Sequence, residues 1–201
     1  MEKKIKSRYI EKNELSRVKK LSMKTDKLAR DFLPLAVSLA TGLRVGDVVK
    51  IRPTDIKGDG IEYIAEKTGK KGFAKCPRSL IAEMWKGASS EWVFPSPTKR
   101  GQHITRQAVW KRAKHFAKLA NINADGFSPH SMRKVFAVET YKNHGAKAAQ
   151  NALQHSRIDT TELYIFSDFS TGLNAEKPLL RRDIDMVVKM VVQAIISELR
   201  T

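Results

Sequence analysis

One short segment interrupts a chain whose apolar residues otherwise recur at helical spacing. Residues 61–76 read IEYIAEKTGKKGFAKC, and they predict two strands joined by a turn that contains glycine and carries lysines at its tip. The other segments predict amphipathic helices at residues 26–41, 78–87 and 105–121, and a last helix at about residues 181–200. We therefore expect a mainly α fold with a small antiparallel β-sheet, an α+β architecture.

Capping residues mark where several of these helices begin and end. Thr41 and Gly42 end the first long helix, and Thr105 is the predicted N-cap of the helix at residues 105–121. Ser128 and Pro129 predict another helix start, with the serine as N-cap and the proline at the first helical position. Three further short helices are predicted at residues 44–51, 145–153 and 159–164.

The beginning of the chain differs in composition from the rest. Residues 1–24 are rich in lysine and have little apolar periodicity, which predicts a basic N-terminal arm or linker. Residues 25–201 have a length typical of one domain. Hydrophobic residues make up 41% of the chain, which is enough to form a packed core and argues against a disordered chain.

The charge balance indicates a polyanionic partner. The 201 residues contain 38 Lys and Arg against 21 Asp and Glu, a formal net charge of +17. Double-stranded DNA is the expected partner, because neutralised phosphates release counterions; a membrane surface is the alternative. The sequence has no apolar run as long as a membrane span, no secretory signal, and a single cysteine, Cys76. We therefore expect a cytoplasmic protein without membrane association, in which Cys76 is an ordinary small apolar residue.

A set of basic and aromatic residues carries the chemistry that a phosphate-cleaving site requires. Its members are Arg44, Lys67, His130, Arg133, His155 and Tyr164. Each residue taken alone also fits a structural or solvated role: Lys67 is no different from the neighbouring lysines, and Tyr164 fits a half-buried core tyrosine. The order and spacing of the whole set favour a functional site.

Four segments that contain this set resemble the sequence boxes of the tyrosine recombinase (phage integrase) family. They are TGLRVGDVVKIRPTDI, EKTGKK, SPHSMRKVFA and LQHSRIDTTELYI, and all six positions occur in the family's order within about residues 26–170. The chain departs from the family at Gln154, where a glycine is usual, and at Lys134, where a histidine is usual. The family's helical core-binding domain has no counterpart before Arg44. We therefore expect the catalytic domain alone, either as a fragment or as a chain that resembles the family's short single-domain members.

The resemblance implies a site-specific recombinase that cuts DNA through a 3′-phosphotyrosyl intermediate. Tyr164 would be the nucleophile, with an unperturbed phenol pKa of about 10 that nearby cations would lower. Arg44 and Arg133 can each present a planar fork of N–H groups to the non-bridging phosphate oxygens.

The remaining three residues would bind the phosphate or move protons. His155 can donate a hydrogen bond to the phosphate, and His130 can exchange a proton with the tyrosine oxygen. By resemblance, Lys67 would protonate the leaving 5′-hydroxyl. The reaction would use no cofactor and no metal, since cationic side chains stabilise the developing charge, and the sequence has no metal-ligand spacing.

Several further expectations concern partners. Asp47 is interpreted as a carboxylate that orients neighbouring groups or stabilises its helix. Five basic residues are predicted to contact the DNA backbone, with a merely solvated charge as the alternative for each: Lys70, Lys71, Lys99, Arg100 and Arg106. The resemblance implies a homotetramer on DNA and a monomer or weak oligomer when free. The last helix packs on its own domain or docks on a neighbouring protomer.

Two other functions fit the same features. A type IB topoisomerase-like enzyme would use the same tyrosine chemistry but would rejoin the same strand. A non-catalytic basic DNA-binding regulator would need the positive charge but would have no use for Tyr164, which argues against this second alternative.

Overall fold

The computed structural model describes residues 7–153, which form six α-helices and one three-stranded antiparallel sheet. In chain order, the elements are α1 (Lys12–Ser22), α2 (Asp26–Thr41), α3 (Val45–Val49), β1 (Ile56–Lys57), β2 (Gly60–Ile64), β3 (Lys71–Lys75), α4 (Arg78–Gly87), α5 (Arg106–Leu119) and α6 (Pro129–Leu153). The expected mainly α fold with a small sheet is confirmed. The helices predicted at residues 159–164 and at about 181–200 lie outside the described residues, as do His155 and Tyr164.

Helix α2 lies at the centre of the described core and packs against each of the other five helices. It begins at the N-cap Thr25, whose Oγ1 accepts a hydrogen bond from the Leu28 backbone N at 3.2 Å. It ends at Gly42, which adopts φ 71°, and a Cβ there would lie 2.4 Å from the Phe136 ring. Only glycine fits such a close approach in the left-handed region. The predicted bounds of this helix are confirmed.

Helix α5 packs its apolar stripe against α2. Thr105 caps the helix as predicted, because its Oγ1 accepts a hydrogen bond from the Ala108 backbone N at 3.1 Å. The apolar residues predicted along one side of this helix are all buried: Val109, Ala113, Phe116 and Ala120. Phe116 meets Phe32 of α2 edge to face, with ring centroids 5.4 Å apart. Burying large apolar side chains of this kind stabilises the fold by roughly 1.5–3 kcal/mol each.

The prediction of a basic arm at the beginning of the chain is wrong for the residues that the structure describes there. Leu15 and Val18 of α1 are buried one turn apart, and Ile10 before the helix is also buried in the core. Arg8 forms an ion pair with Glu14 at 2.7 Å and donates its backbone N–H to Gly126 O at 2.9 Å. Because α1 has many exposed charged residues, its sequence did not indicate that Leu15 and Val18 pack against distant helices. The division of the whole chain into domains stays a prediction.

The sheet contains the predicted hairpin and one further strand. Strands β2 and β3 pair antiparallel with Ile61 opposite Ala74, and the short strand β1 adds Ile56 opposite Ile61 on the other side. The connection between β2 and β3 is closed by the Ala65 backbone N, which donates to Lys70 O at 2.9 Å. The lysines of this turn are exposed, as predicted. The sequence did not indicate β1, which has only two residues.

Helix α6 begins at Pro129, as predicted, but Ser128 does not cap it in the expected way. The Ser128 backbone N donates to Ser131 Oγ at 3.2 Å, whereas the buried Ser128 Oγ has no hydrogen-bond partner among the described residues. The helix is interrupted at Gly145, which has φ 80° and ψ 176°. This break separates the short helix that was predicted at residues 145–153. None of the helices that the structure describes has the length and apolar character that crossing a bilayer requires.

Candidate active site

A rigid turn after α2 positions Arg44. The Ser38 Oγ donates a hydrogen bond to Leu43 O at 2.8 Å, and the Thr41 Oγ1 accepts one from Leu43 N at 3.2 Å. Together with the left-handed Gly42, these bonds fix the backbone that leads into α3. Arg44 is the half-buried N-cap of α3, so its guanidinium is delivered from a well-defined point of the chain.

Arg133 is held against the same turn from the opposite side. It lies on α6 one turn after His130, and only 3% of its surface is exposed. Its Nη1 donates to the carbonyl of Gly42, and its Nη2 donates to Leu153 O at 2.7 Å. A buried cation needs such polar partners. The two carbonyls therefore fix the position of the positive charge and tie α2 to both ends of α6.

Asp47 holds the hairpin in place beside these arginines. Its carboxylate is buried, with 6% exposure of the residue, and its Oδ1 accepts a hydrogen bond from the Glu66 backbone N at 2.9 Å. The residue bound in this way directly precedes Lys67, which is exposed at the start of the hairpin turn. The orienting role that the sequence indicated for Asp47 thus has a specific target, the backbone before Lys67.

These elements form one pocket of about 450 Å³, called here the cationic pocket. Four of the six candidate residues line it: Arg44, Lys67, His130 and Arg133. His155 and Tyr164 lie outside the described residues. The pocket therefore joins side chains from the α2–α3 turn, the hairpin and the start of α6, which are far apart in sequence.

Charge distinguishes the cationic pocket from a larger cavity on the sheet. That cavity, of about 710 Å³, is lined by three basic and three acidic residues: Lys50, Arg52, Lys71, Asp47, Asp55 and Glu62. The cationic pocket has four Arg or Lys residues and His130 against two carboxylates: Arg44, Lys67, Arg106 and Arg133 against Asp47 and Glu66. The excess of positive charge, rather than the volume, suits a phosphate group.

Tyr63 lies close enough to the pocket to experience its charges. Burial raises the pKa of its phenol above the usual 10.0, and the nearby Asp47 acts in the same direction, whereas the positive charges of Arg133 and Arg44 oppose the change. A raised pKa disfavours the phenolate that a nucleophile would need. Tyr63 therefore fits a structural role better than the role of a nucleophile.

Glu66 and Arg106 line the pocket, and neither had a catalytic prediction. Glu66 lines it and forms an ion pair with Lys50, Oε1 to Nζ 3.2 Å. Arg106 was expected to contact the DNA backbone, and it lies in the wall of the pocket at the first turn of α5. The only sequence signals for these two were the adjacency of Glu66 to Lys67 and the position of Arg106 after a helix cap.

The other predicted backbone contacts are exposed. They are Lys70 and Lys71 of the hairpin, and Lys99 and Arg100 of the loop between α4 and α5. None of these four lines the cationic pocket, and their contact with DNA stays a prediction. Among residues 7–153, no group of three or more His, Cys, Asp or Glu side chains is arranged to hold a metal ion.

The fold and the pocket define a class of helical domain in which two arginines, a lysine and a histidine line one pocket. The sequence model of the phage integrase family matches residues 8–171, and the chain belongs to that family. It is similar to tyrosine recombinase XerD of Haemophilus influenzae, with 36% identity over 151 residues. The match covers 67% of this chain and 49% of that protein, so the chain spans about half the length of this relative.

Solved structures have the same fold. A crystal structure of the XerH site-specific recombinase bound to palindromic difH substrate, a post-cleavage complex, matches with a TM-score of 0.66 and 19% identity over 84% of this chain and 52% of that chain. A lambda integrase tetramer bound to a Holliday junction matches with a TM-score of 0.67 and 16% identity over 88% of this chain and 52% of that chain. At these identities the likeness concerns the fold.

Proposed function

We propose that this chain is a site-specific DNA recombinase that cuts and rejoins strands through a 3′-phosphotyrosyl intermediate. The observation that carries the proposal is the convergence of Arg44, Lys67, His130 and Arg133 on one pocket with an excess of positive charge. These residues come from three separate segments, and each occupies the position of a family catalytic residue in the sequence boxes. Membership of the phage integrase family supports the same reaction.

In the proposed reaction, the Tyr164 oxygen attacks the scissile phosphorus while the bond from phosphorus to the 5′ oxygen breaks. His130 accepts the phenol proton, and Lys67 donates a proton to the leaving 5′ oxygen. His155 donates a hydrogen bond to the phosphate. Attack of a 5′-hydroxyl from another strand on the phosphotyrosine reverses these steps and rejoins the DNA.

Arg44 and Arg133 stabilise the charge that develops on the phosphate oxygens. Arg133 is already held by its hydrogen bonds to two carbonyls before DNA binds. Its guanidinium therefore needs little rearrangement when the transition state forms. The phosphotyrosyl bond keeps the energy of the broken linkage, and the reaction therefore requires no ATP. Cationic side chains take the role that a metal ion has in other phosphoryl-transfer sites, so no metal cofactor is proposed.

We propose double-stranded DNA as the partner and a homotetramer as the assembly on DNA. The net charge of +17 supports a polyanionic partner. The structural likeness to a lambda integrase tetramer bound to a Holliday junction supports the assembly. The free chain is proposed to be a monomer or weak oligomer, and the cytoplasm its place of action.

A covalent-adduct assay tests the proposal. The chain is incubated in EDTA with nicked duplexes that tile the DNA flanking its own coding region. A nick just downstream of the scissile phosphate lets the short fragment with the new 5′-hydroxyl diffuse away, which traps the phosphotyrosine. After denaturation, we expect a protein–DNA adduct with the wild type and none with Tyr164→Phe. A wild-type chain that binds these duplexes and forms no adduct with any of them would contradict the proposal.

The variant and the positions of the adducts together separate the two alternative functions. A non-catalytic regulator would bind DNA equally well with and without Tyr164 and would form no adduct in either case. A type IB topoisomerase-like enzyme would relax supercoiled plasmid without any defined site, whereas a recombinase should cleave at particular sequences. Mapping the 3′ ends of the adducts distinguishes these outcomes.

A further inference from the structure

Helix α5 presents a large aromatic side chain to solvent beside the cationic pocket. Trp110 has 48% of its surface exposed, although its neighbour Val109 is completely buried in the core. Its indole lies in the wall of a groove of about 680 Å³, called here the Trp110 groove. A volume of this size is typical of sites that accept small ligands or parts of larger ones.

The Trp110 groove continues directly from the cationic pocket. The two cavities share four lining residues: Val45, Arg106, Pro129 and His130. They are therefore adjacent cavities with a common boundary. A chain-like ligand with one phosphate in the cationic pocket would therefore extend its adjoining atoms into the Trp110 groove.

The groove combines an aromatic surface with positive charge. The Lys114 Nζ lies 5.2 Å from the centroid of the Trp110 ring and donates a hydrogen bond to the carbonyl of Ala124. Arg106 lies four residues before Trp110 on the same helix and also lines the groove. None of the described residues that line the groove is acidic. Aromatic faces flanked by cations are typical of surfaces that stack nucleobases and hold the adjoining phosphates.

We propose that the Trp110 groove binds an unpaired nucleotide of the DNA strand whose phosphate the cationic pocket holds, with the base stacked on Trp110. The proposal rests on the proposed function, because strand exchange requires a cleaved strand to leave its duplex and thereby exposes base faces. A phosphate alone gains little from an exposed indole, whereas any base has a π-face that stacks on it. The binding should therefore tolerate any base.

The chain contains a matched control for Trp110. Trp85 on α4 is equally exposed, at 49%, but it lines neither the Trp110 groove nor the cationic pocket. Substituting either tryptophan removes a similar exposed aromatic surface. Only substitution of Trp110 should therefore change the binding of single-stranded DNA.

The test uses two measurements on the full chain at low salt. Fluorescence quenching is measured with a short single-stranded oligonucleotide and with an abasic oligomer of equal length, which has the same phosphates but no bases. Affinity for the same oligonucleotide is measured for Trp110→Ala, Trp110→Phe and Trp85→Ala. Thermal unfolding of each variant confirms that it is folded.

We expect the single strand to quench the wild type, the abasic oligomer to leave its fluorescence unchanged, and Trp110→Phe to lack the quenching. We expect Trp110→Ala to weaken single-strand affinity by about tenfold, Trp110→Phe by less, and Trp85→Ala not at all. Equal quenching by the abasic oligomer would overturn the proposal, because the contact would then be to phosphate or sugar. Equal affinities of Trp110→Ala and Trp85→Ala would overturn it as well.

The adduct assay with the same wild-type chain keeps this proposal separate from the proposed function. If adducts form and Trp110 is not quenched by bases, the recombinase proposal survives and the base-binding groove fails. If Trp110 is quenched by bases and no adduct forms, the groove is supported as a site for single-stranded DNA, and the proposed cleavage fails.

Discussion

The two walls of the cationic pocket are built differently. The buried wall consists of Arg133 and Asp47, whose side chains are fixed by hydrogen bonds to distant backbone groups. The exposed wall consists of Lys67 and His130, which reach the pocket from the hairpin turn and from the first turn of α6. The fixed charges of Arg133 and Asp47 are buried, whereas Lys67 and His130, which are proposed to move protons, face solvent.

This difference separates residues that contribute to both folding and the reaction from residues that contribute to the reaction alone. Loss of a buried polar side chain leaves its partners unsatisfied, so it should destabilise the fold as well as the reaction. Loss of an exposed side chain should affect the reaction alone. Each substitution below tests this division, in order of its expected effect on the free energy of unfolding.

Replacement of Arg133 should cause the largest loss of stability. Arg133→Ala leaves the carbonyls of Gly42 and Leu153 without the donors that now satisfy them, so the free energy of unfolding should fall by about 3 kcal/mol. Chemical denaturation measures this change. Arg133→Lys should recover only part of the loss, because one ammonium cannot reproduce the two-pronged geometry. Full stability in Arg133→Ala would show that the buried wall is not a structural support.

Replacement of Asp47 should have the next largest effect. Asp47→Ala removes the acceptor for the Glu66 backbone N and should lower the free energy of unfolding by roughly 1–3 kcal/mol, with reduced adduct formation because Lys67 is no longer held. Asp47→Asn keeps an acceptor and should restore much of both. The matched control is Asp55→Ala, since Asp55 accepts a hydrogen bond from the Arg52 backbone N outside the cationic pocket.

The outcome that would contradict this role of Asp47 is equal adduct formation by the Asp47→Ala and Asp55→Ala variants at temperatures where both are folded. The buried carboxylate would then contribute to folding alone. The rates of adduct formation should be compared under conditions in which the same fraction of each variant is folded. The difference in stability then does not affect the comparison.

The pH dependence of stability provides a test at Tyr63, whose phenol pKa is affected by the charges of Arg133 and Arg44. Because burial raises its folded-state pKa above the usual 10.0, its neutral form is favoured in the folded state. The corresponding stability is fully present below pH 10.0 and should be lost as the pH rises through the folded pKa. Tyr63→Phe should therefore lose less stability than the wild type between neutral and strongly alkaline pH in denaturation measurements. Parallel pH curves for the two proteins would contradict the assignment.

The elements and residues that sequence could predict are those governed by local signals. Helices α2 and α5 were predicted because their apolar residues recur at helical spacing, and because Gly42 marks the end of α2 and Thr105 the start of α5. The hairpin followed from alternating apolar residues around a glycine turn. The resemblance to family boxes then predicted four residues that line one pocket.

What sequence missed depends on contacts between distant segments. The apolar pair of α1, Leu15 and Val18, is buried only because other helices cover it. The carbonyl partners of Arg133 lie 91 and 20 residues away, and the Glu66 backbone lies 19 residues from Asp47. No local sequence pattern indicates which distant backbone groups a side chain will bind. The hydrogen bonds that hold the buried wall could therefore be identified only in the folded structure.

Replacement of Lys67 should have the smallest effect on stability and one of the larger effects on cleavage. Lys67 is exposed and lies in a turn that is closed by backbone hydrogen bonds, so Lys67→Ala should change the free energy of unfolding by less than about 0.5 kcal/mol. Without a proton donor for the 5′ oxygen, the rate of adduct formation should fall by roughly 10²–10⁴-fold. Lys70→Ala is the matched control in the same turn. At saturating DNA it should leave this rate nearly unchanged, because Lys70 lies outside the cationic pocket and its predicted contact to the DNA backbone would affect binding only. A bridging 5′-phosphorothiolate, whose thiolate leaves without protonation, should restore cleavage by Lys67→Ala. Rescue of this kind would assign Lys67 to proton transfer. An equally slow reaction with both substrates would instead make Lys67 a contact to the phosphate, and it would contradict the proposed division between the two walls.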